Sequence, residues 1–144
     1  MKGINVYVDT SVLVAYYCPE PLSDKVEAYL RAYTKPSVSA LTEIELFSAL
    51  SKKVWAKEMK RNDATRVIAR FLADLESGYY TYLSVEVAHF RLARDWLGMF
   101  RLNLRTLDAL HLAIASSQGY SIITADMNLS KSAKGLGLKS ILVT

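Results

Sequence analysis

The stretch VYVDTSVLVAYY, residues 6–17, holds two hydrophobic rhythms divided by one acid. Before Asp9, the run INVYV (4–8) has the β-branched and aromatic content of a strand. After it, SVLVAYY (11–17) reads as a short helix that Pro19 and Pro21 stop. Strand, acid, helix is the first unit of an alternating α/β chain, with a carboxylate at the point where the strand gives way.

The alternation continues outward from there. A helix is expected from Ser23 to about Tyr33, a short strand at PSVSA (36–40), and a long helix from Leu41 that carries Leu46, Phe47, Leu50 and Val54 at helical spacing. The next helix lies between a cap at Asn62 or Asp63 and Gly78, with Ala64, Val67, Ile68, Phe71, Leu72 and Leu75 on one stripe. YYTYLSV (79–85) reads as a strand. Ser84 is placed to cap a helix whose Val85, Ala88, Leu92, Trp96 and Phe100 share a side, and the polar, basic loop RLNLR (101–105) follows. Thr106 is the expected cap of LDALHLAIASSQ (107–118), which Gly119 ends, and SIIT (121–124) is a strand that stops by Asp126. A last short helix around LSKSAKGLG (129–137) leads to the strand SILV (140–143). Strands that alternate with helices pair in parallel and are covered on both faces, so the expected architecture is a three-layer α/β/α sandwich with a central, mostly parallel sheet.

The 144 residues suit a single domain over 1–144, and a composition 51% hydrophobic and 22% charged argues for a folded core. No apolar run approaches the ~20 residues of a bilayer span, and the N-terminal run meets an acid too early for a signal-peptide core, which makes the expected location cytoplasmic. The lone cysteine, Cys18, has no disulfide partner and is expected to be a buried small residue. A net charge of +4 is compatible with nucleic acid as a partner but points there only weakly.

In open parallel sheets, chemistry gathers beyond the carboxyl ends of the strands. Asp9 follows the first strand and Asp126 follows SIIT; Glu43, Glu45 and Asp108 lie in the first turns of helices that can open on the same rim. Each has an ordinary alternative. Asp9 can end a strand or cap a helix, Glu45 can close a capping box with Thr42, Asp108 can complement a helix dipole, and Asp126 can be a turn residue. Together they make a stronger case, because three of them are flanked by apolar residues. Carboxylates crowded at a half-buried rim repel one another unless a cation sits among them. With all-oxygen ligands and no cysteine or histidine cluster, the fitting ion is Mg²⁺ or Mn²⁺, which activates water and neutralises a phosphodiester.

These blocks resemble the PIN domain, particularly the VapC-type toxins of toxin–antitoxin pairs. The likeness runs through VYVDTSVLVAYY, SALTEIEL and LDALHLAIASSQGYSIITADMNLSKSAKGLGLKSILV, and so covers nearly the whole chain. It implies that the metal-binding and catalytic acids are Asp9, Glu45, Asp108 and Asp126, with Glu43 as the less fitting neighbour of Glu45. Ser11 and Thr124 would be the supporting hydroxyls. It further implies a Mg²⁺- or Mn²⁺-dependent endoribonuclease, a homodimer, and inhibition by a cognate antitoxin protein. The rival reading is a PIN-like module that binds RNA or protein without cutting. A dinucleotide-binding fold lacks its glycine-rich turn here, and the D-x-D of haloacid-dehalogenase-type phosphatases is broken by Ser11.

Arg101 and Arg105 shortly precede Asp108 and are the expected RNA-binding residues. The cluster Lys52, Lys53, Lys57, Lys60 and Arg61 around Trp55 suits an RNA backbone, a solvated face or an antitoxin surface equally. His111, one turn after Asp108, and His89 are read as partly buried structural histidines.

Overall fold

The computed structural model describes residues 5–144, so Ile4 of the expected first strand lies outside the described residues. The elements run β1 (Val6–Val8), α1 (Thr10–Tyr17), α2 (Ser23–Arg31), β2 (Ser37–Ser39), α3 (Ala40–Trp55), α4 (Arg61–Glu76), β3 (Thr81–Leu83), α5 (Val87–Gly98), α6 (Thr106–Gln118), β4 (Ser121–Thr124), α7 (Met127–Gly135) and β5 (Ser140–Leu142). The five strands form one sheet in the order β3-β2-β1-β4-β5, and every pairing in it is parallel. The expected three-layer architecture is the one found.

Alternation along β1 sorts the layers. Val6 and Val8 join Val12, Leu13, Leu30, Leu46 and Phe71 in a core under α1 to α4, whereas Tyr7 points the other way and packs with Leu112, Ile114, Leu129 and Ala133 of α6 and α7. Successive side chains on a strand face opposite sides of the sheet, so one three-residue strand serves both cores. Helix α5 packs mainly on α6, with Ala93 against Ala109, Leu110 and Ala113, and its Trp96 also reaches the core around Tyr7 and Ile122. The small residues of ALHLAIA let these two helices approach.

The strand order fixes where the site lies. From β1 the chain winds one way through β2 and β3, then returns to β4 on the other side of β1, so its direction reverses between β1 and β4. Such a reversal opens a crevice at the carboxyl ends of the two strands. Val8 pairs with Ile123, and the Asp9 backbone N–H donates to the Ile123 carbonyl at 3.0 Å. Asp9 and Asp126 thereby reach the crevice from adjacent strands although 117 residues separate them in sequence.

Several helix starts differ from expectation by one to three residues. Helix α4 begins at Arg61 behind Lys60, and α6 begins at Thr106 itself with Arg105 as its cap; neither capping residue makes a side-chain cap bond. Glu86, not Ser84, caps α5 in a box with His89, and Ser84 instead donates its hydroxyl to the Glu86 carboxylate. Phe100 lies beyond the end of α5 in a left-handed conformation (φ 54°) and is exposed, so it does not extend the α5 stripe. Gly119 does end α6, at φ 71°, where a side chain would be strained. Cys18 is buried with a free thiol.

Phe71 is fully buried and meets the rings of Tyr17 and Tyr80 at centroid distances of 5.6 and 6.0 Å. Phe71→Ala is expected to destabilise the protein by about 3–5 kcal/mol, the range for loss of a buried phenyl group. The urea midpoint measures it, and Leu72→Ala, on the exposed flank of the same helix, is expected to shift that midpoint far less.

Candidate active site

Asp9 is the most deeply buried of the four acids. Its Oδ2 accepts hydrogen bonds from Ser11 Oγ at 2.7 Å and Thr124 Oγ1 at 2.9 Å. Those hydroxyls accept in turn from the backbone N–H groups of Ala125 and Asp126, each at 3.0 Å. Each hydroxyl has one proton and gives it to Asp9, so the 3.3 Å approach of Ser11 to Thr124 is a by-product of their shared acceptor. Asp9 precedes α1 but makes no side-chain cap bond to it. The carboxylate serves the crevice instead, and its Oδ1 stands 3.9 Å from His111 Nε2.

Glu45 reaches the crevice because α3 starts earlier than expected. With Ala40 as its first residue, the capping box is Ser39–Thr42: the Thr42 N–H donates to Ser39 Oγ at 3.3 Å, and the Ser39 N–H donates to Thr42 Oγ1 at 3.1 Å. Glu45 is thus released from the local role it had as a partner of Thr42. Its Oε1 accepts from Thr10 Oγ1 at 2.7 Å and, at close range, from His111 Nε2. Glu43, two residues earlier and therefore about 200° around the helix at 3.6 residues per turn, turns outward and accepts from the exposed Tyr82 hydroxyl at 2.7 Å. Glu45, not Glu43, shares the crevice with Asp108.

Asp108 and Asp126 are joined by one guanidinium. Arg105 Nε lies 3.3 Å from Asp108 Oδ2, and Arg105 Nη2 lies 3.6 Å from Asp126 Oδ2. The other oxygen of Asp126 caps α7, accepting from the N–H groups of Asn128 at 2.8 Å and Leu129 at 3.4 Å. Asp126 is therefore both a local cap and a member of the cluster. A cavity of 280 Å³ lies between Glu45, Arg105 and Asp108. Arg101 does not line it: it is exposed in the bend after α5 and forms no ion pair among the described residues.

The electrostatics show crowding. Burial pushes the Asp108 carboxyl above its ordinary value; Arg105 opposes that, and the charges of Asp9 and Asp126 push it up further. Burial also pushes Glu45 up, but the hydrogen bonds from His111 and Thr10, together with the His111 and Lys52 charges, outweigh it and leave Glu45 below its ordinary value. The two acids that share a cavity are thus held in opposite senses.

Sequence reasoning treated His111 as a partly buried structural residue. It is fully buried, and it is also a direct partner of Glu45. While Nε2–H donates to Glu45, Nδ1 lies 2.7 Å from the Tyr7 hydroxyl, which reaches Ser39 Oγ at 2.8 Å and Thr42 Oγ1 at 3.1 Å. Tyr7, the inward residue of β1 on the α6 side, and Thr10 were missed. The available signal was a polar hydroxyl on a central strand facing a helix that carries one buried histidine, since buried polar groups must find partners. His89 is a structural histidine, occupied with the α5 cap.

The donor set fits a hard divalent cation in its chemistry: four carboxylates, no thiolate, and a shared rim. No three His, Cys, Asp or Glu side chains among the described residues already stand in a metal-holding arrangement. The Arg105 guanidinium occupies the space between Asp108 and Asp126, and its side chain is 74% exposed and free to swing outward.

Residues 6–135 match the PIN domain family. The chain is a PIN domain. It is 34% identical to Ribonuclease VapC46 of Mycobacterium tuberculosis over 139 residues, 94% of this chain and 95% of that protein. Among solved structures, the PIN domain superposes on VapC20 of Mycobacterium tuberculosis, described as a sarcin-ricin-loop-cleaving toxin, with a TM-score of 0.71 at 17% identity over 89% of this chain and 95% of that one. It also superposes on the DNA-bound VapBC of Salmonella typhimurium, with a TM-score of 0.73 at 14% identity over 98% and 99% of the two chains. The kinship with VapC-type toxins expected from the sequence is borne out.

Two expectations follow for this PIN domain. Asp108 has a folded-state pKa raised above its unfolded value, so its ionisation costs stability as the pH rises through that interval. Asp108→Asn is therefore expected to raise the melting temperature in EDTA at pH 7, and the gap should close as the pH falls toward the ordinary value of 3.8. Second, His111→Leu leaves Glu45 and Tyr7 short of a partner in a buried setting. A loss of about 1–3 kcal/mol per unsatisfied group is expected in chemical denaturation, with a smaller loss for His111→Gln.

Proposed function

We propose that this chain is a Mg²⁺- or Mn²⁺-dependent endoribonuclease, the toxin of a toxin–antitoxin pair, that hydrolyses RNA phosphodiesters at the crevice between β1 and β4. The observation that carries the reading is the arrival of Asp9, Glu45, Asp108 and Asp126 at one rim from four separate segments, where His111 links Glu45 to Asp9 and Arg105 links Asp108 to Asp126. Arg105 offsets the repulsion between Asp108 and Asp126, and a divalent cation among the four acids would offset it further. Family membership and the VapC-type relatives support the same reading.

Asp9, Asp108 and Asp126, with Glu45 at the flank, would hold the ion. A divalent cation bound there lowers the pKa of a water and neutralises charge on the phosphate. The chain's own residues do the rest. Ser11 and Thr124 fix the Asp9 carboxylate so that one oxygen is committed and the other remains available to the crevice. His111 and Thr10 fix Glu45, keep it ionised and orient it toward the cavity it shares with Asp108. Glu45 is then placed to accept a proton from the attacking water, the role that an ionised carboxylate at hydrogen-bond range can take. Arg105, exposed at the rim beside Asp108 and Asp126, would pair with a substrate phosphate oxygen, which its planar fork suits. Arg101, farther along the exposed bend, would meet the strand only at its outer edge.

Partner binding follows from the relatives and from exposed surface. Structures of VapBC and other toxin–antitoxin complexes superpose on this chain, which supports a cognate antitoxin as its partner; a homodimer is the proposed assembly. The groove between α3 and α4, about 540 Å³ and lined by Ile44, Phe47, Val54, Trp55 and Ile68, leaves Trp55 84% exposed. It adjoins the basic cluster of Lys53, Lys57, Lys60 and Arg61. From Ser39 to Trp55 helix α3 spans roughly 24 Å at 1.5 Å per residue, so this cluster stands at the far end from the acids and suits an antitoxin better than the scissile RNA. No helix among the described residues is long and apolar enough to cross a membrane, and the cytoplasm is the proposed location.

Cleavage of a structured RNA tests the proposal. Wild type with Mg²⁺ or Mn²⁺ is expected to cut, and EDTA to stop it. Asp9→Asn and Asp126→Asn are expected to lose more than about 100-fold, since outer-shell partners of a metal site alone cost 10–100-fold. Equal cleavage by all four samples would sink the proposal in favour of a PIN-like binding module.

A further inference from the structure

We infer that the cleft between the Leu102–Arg105 loop and α7 is a second RNA subsite, which holds the phosphate and sugar of a nucleotide flanking the one that is cut. The inference rests on the nuclease reading above and assigns new residues to it. The cleft has a volume of 350 Å³ and is lined by Asn103, Arg105, Asp108, Asn128, Lys131 and Ser132. It shares Arg105 and Asp108 with the 280 Å³ cavity that contains Glu45. A polymer that presents one phosphate to the acids must leave along such a path.

The lining decides what enters. All six side chains are polar, and the only acid is Asp108, whose charge is committed to the cluster. An apolar peptide face or a lipid tail finds nothing to bury against. A nucleotide finds a cation in Lys131, two amides that donate and accept in Asn103 and Asn128, and a hydroxyl in Ser132. The volume is at the lower end of the ~300–1,000 Å³ of small-molecule sites, which limits the occupant to about one nucleotide. Lys131 is exposed and forms no ion pair among the described residues, so its charge is uncommitted.

The fold builds this wall rather than leaving it to chance. On α7, Leu129 and Ala133 face the sheet core with Ile122, and Ser130 bonds Ser140 of β5 at 2.9 Å. That orientation sends Asn128, Lys131 and Ser132 to the opposite side, with Asn128 and Lys131 three apart on one helical face. The loop is held against α7 by Leu102, which lies so close over Gly135 that a Cβ there would come within 2.9 Å of a Leu102 methyl. The N–H groups of Asn128 and Leu129 are tied to Asp126. The subsite and the acid cluster are therefore parts of one rigid corner.

Binding of a short single-stranded RNA, followed by fluorescence anisotropy in the Asp9→Asn background, separates this inference from the cleavage reaction. Lys131→Gln is expected to weaken binding about 5- to 10-fold and to lower the salt slope by about 0.7, the loss of one phosphate contact on a single strand. Lys131→Arg should restore both, and Asn128→Ala combined with Lys131→Gln should weaken binding further. In the otherwise native chain, Lys131→Gln should raise KM with kcat nearly unchanged, and the Mn²⁺-induced gain in melting temperature should stay as in wild type. Unchanged affinity and salt slope in Lys131→Gln would overturn the inference while leaving the nuclease intact. Loss of the Mn²⁺ gain would also overturn it, because Lys131 would then act on the acids. Absence of cleavage by wild type, with binding still dependent on Lys131, would instead remove the nuclease reading and keep the subsite.

Discussion

The parallel pairing of β1 with β4 is the constraint on which the rest of the site depends. It sets Asp9 beside Thr124, and the Ser11 and Thr124 hydroxyls then clamp one oxygen of the Asp9 carboxylate. That clamp joins the start of the chain to its last quarter. It also places Asp126 one turn beyond, at the cap of α7, so the position of one acid is inherited by another through backbone rather than through contact. A shift of β4 by one residue would reverse its buried faces and separate the two acids together.

A second network holds the opposite wall. Tyr7, Ser39, Thr42, His111, Thr10 and Glu45 form a run of hydrogen bonds from the central strand through the starts of α3 and α6 to the crevice. Its buried members each have partners, which makes such a network rigid and makes it costly to break. Its consequence is asymmetry. Glu45 is kept ionised by the network, while Asp108, half-buried with only Arg105 against its acidic neighbours, is kept under strain. One wall therefore holds its carboxylate below the ordinary value and the other above it. Arg105 is the bridge between these conditions, since it balances Asp108 and Asp126 and is exposed enough to leave them.

The molecule divides its surface by the same logic. At the carboxyl ends of the strands, polar clefts surround the acids. At the other end of α3, a hydrophobic groove and a basic cluster face outward around Trp55. Charge that would be drawn to an RNA backbone is thus not concentrated at the acids alone. The net charge of +4 says nothing about this separation, because it sums over both ends.

The sequence by itself determined the alternation of strands and helices, the layered class and the family, because hydrophobic period, glycine and proline punctuation and the family's motif blocks are local properties. It left the choice between Glu43 and Glu45 to resemblance. Two residues on one helix differ by about 200° in direction, and only the seating of α3 on the sheet decides which of them turns inward. Caps were displaced as well: Ser39 caps α3 in place of Thr42, and Glu86 caps α5 in place of Ser84. The sequence signalled that the Tyr7 hydroxyl and His111 need partners but not that they find each other, since they lie 104 residues apart. Whether a buried hydroxyl supports a site or merely satisfies a core depends on what packing brings to it, and that is decided in three dimensions.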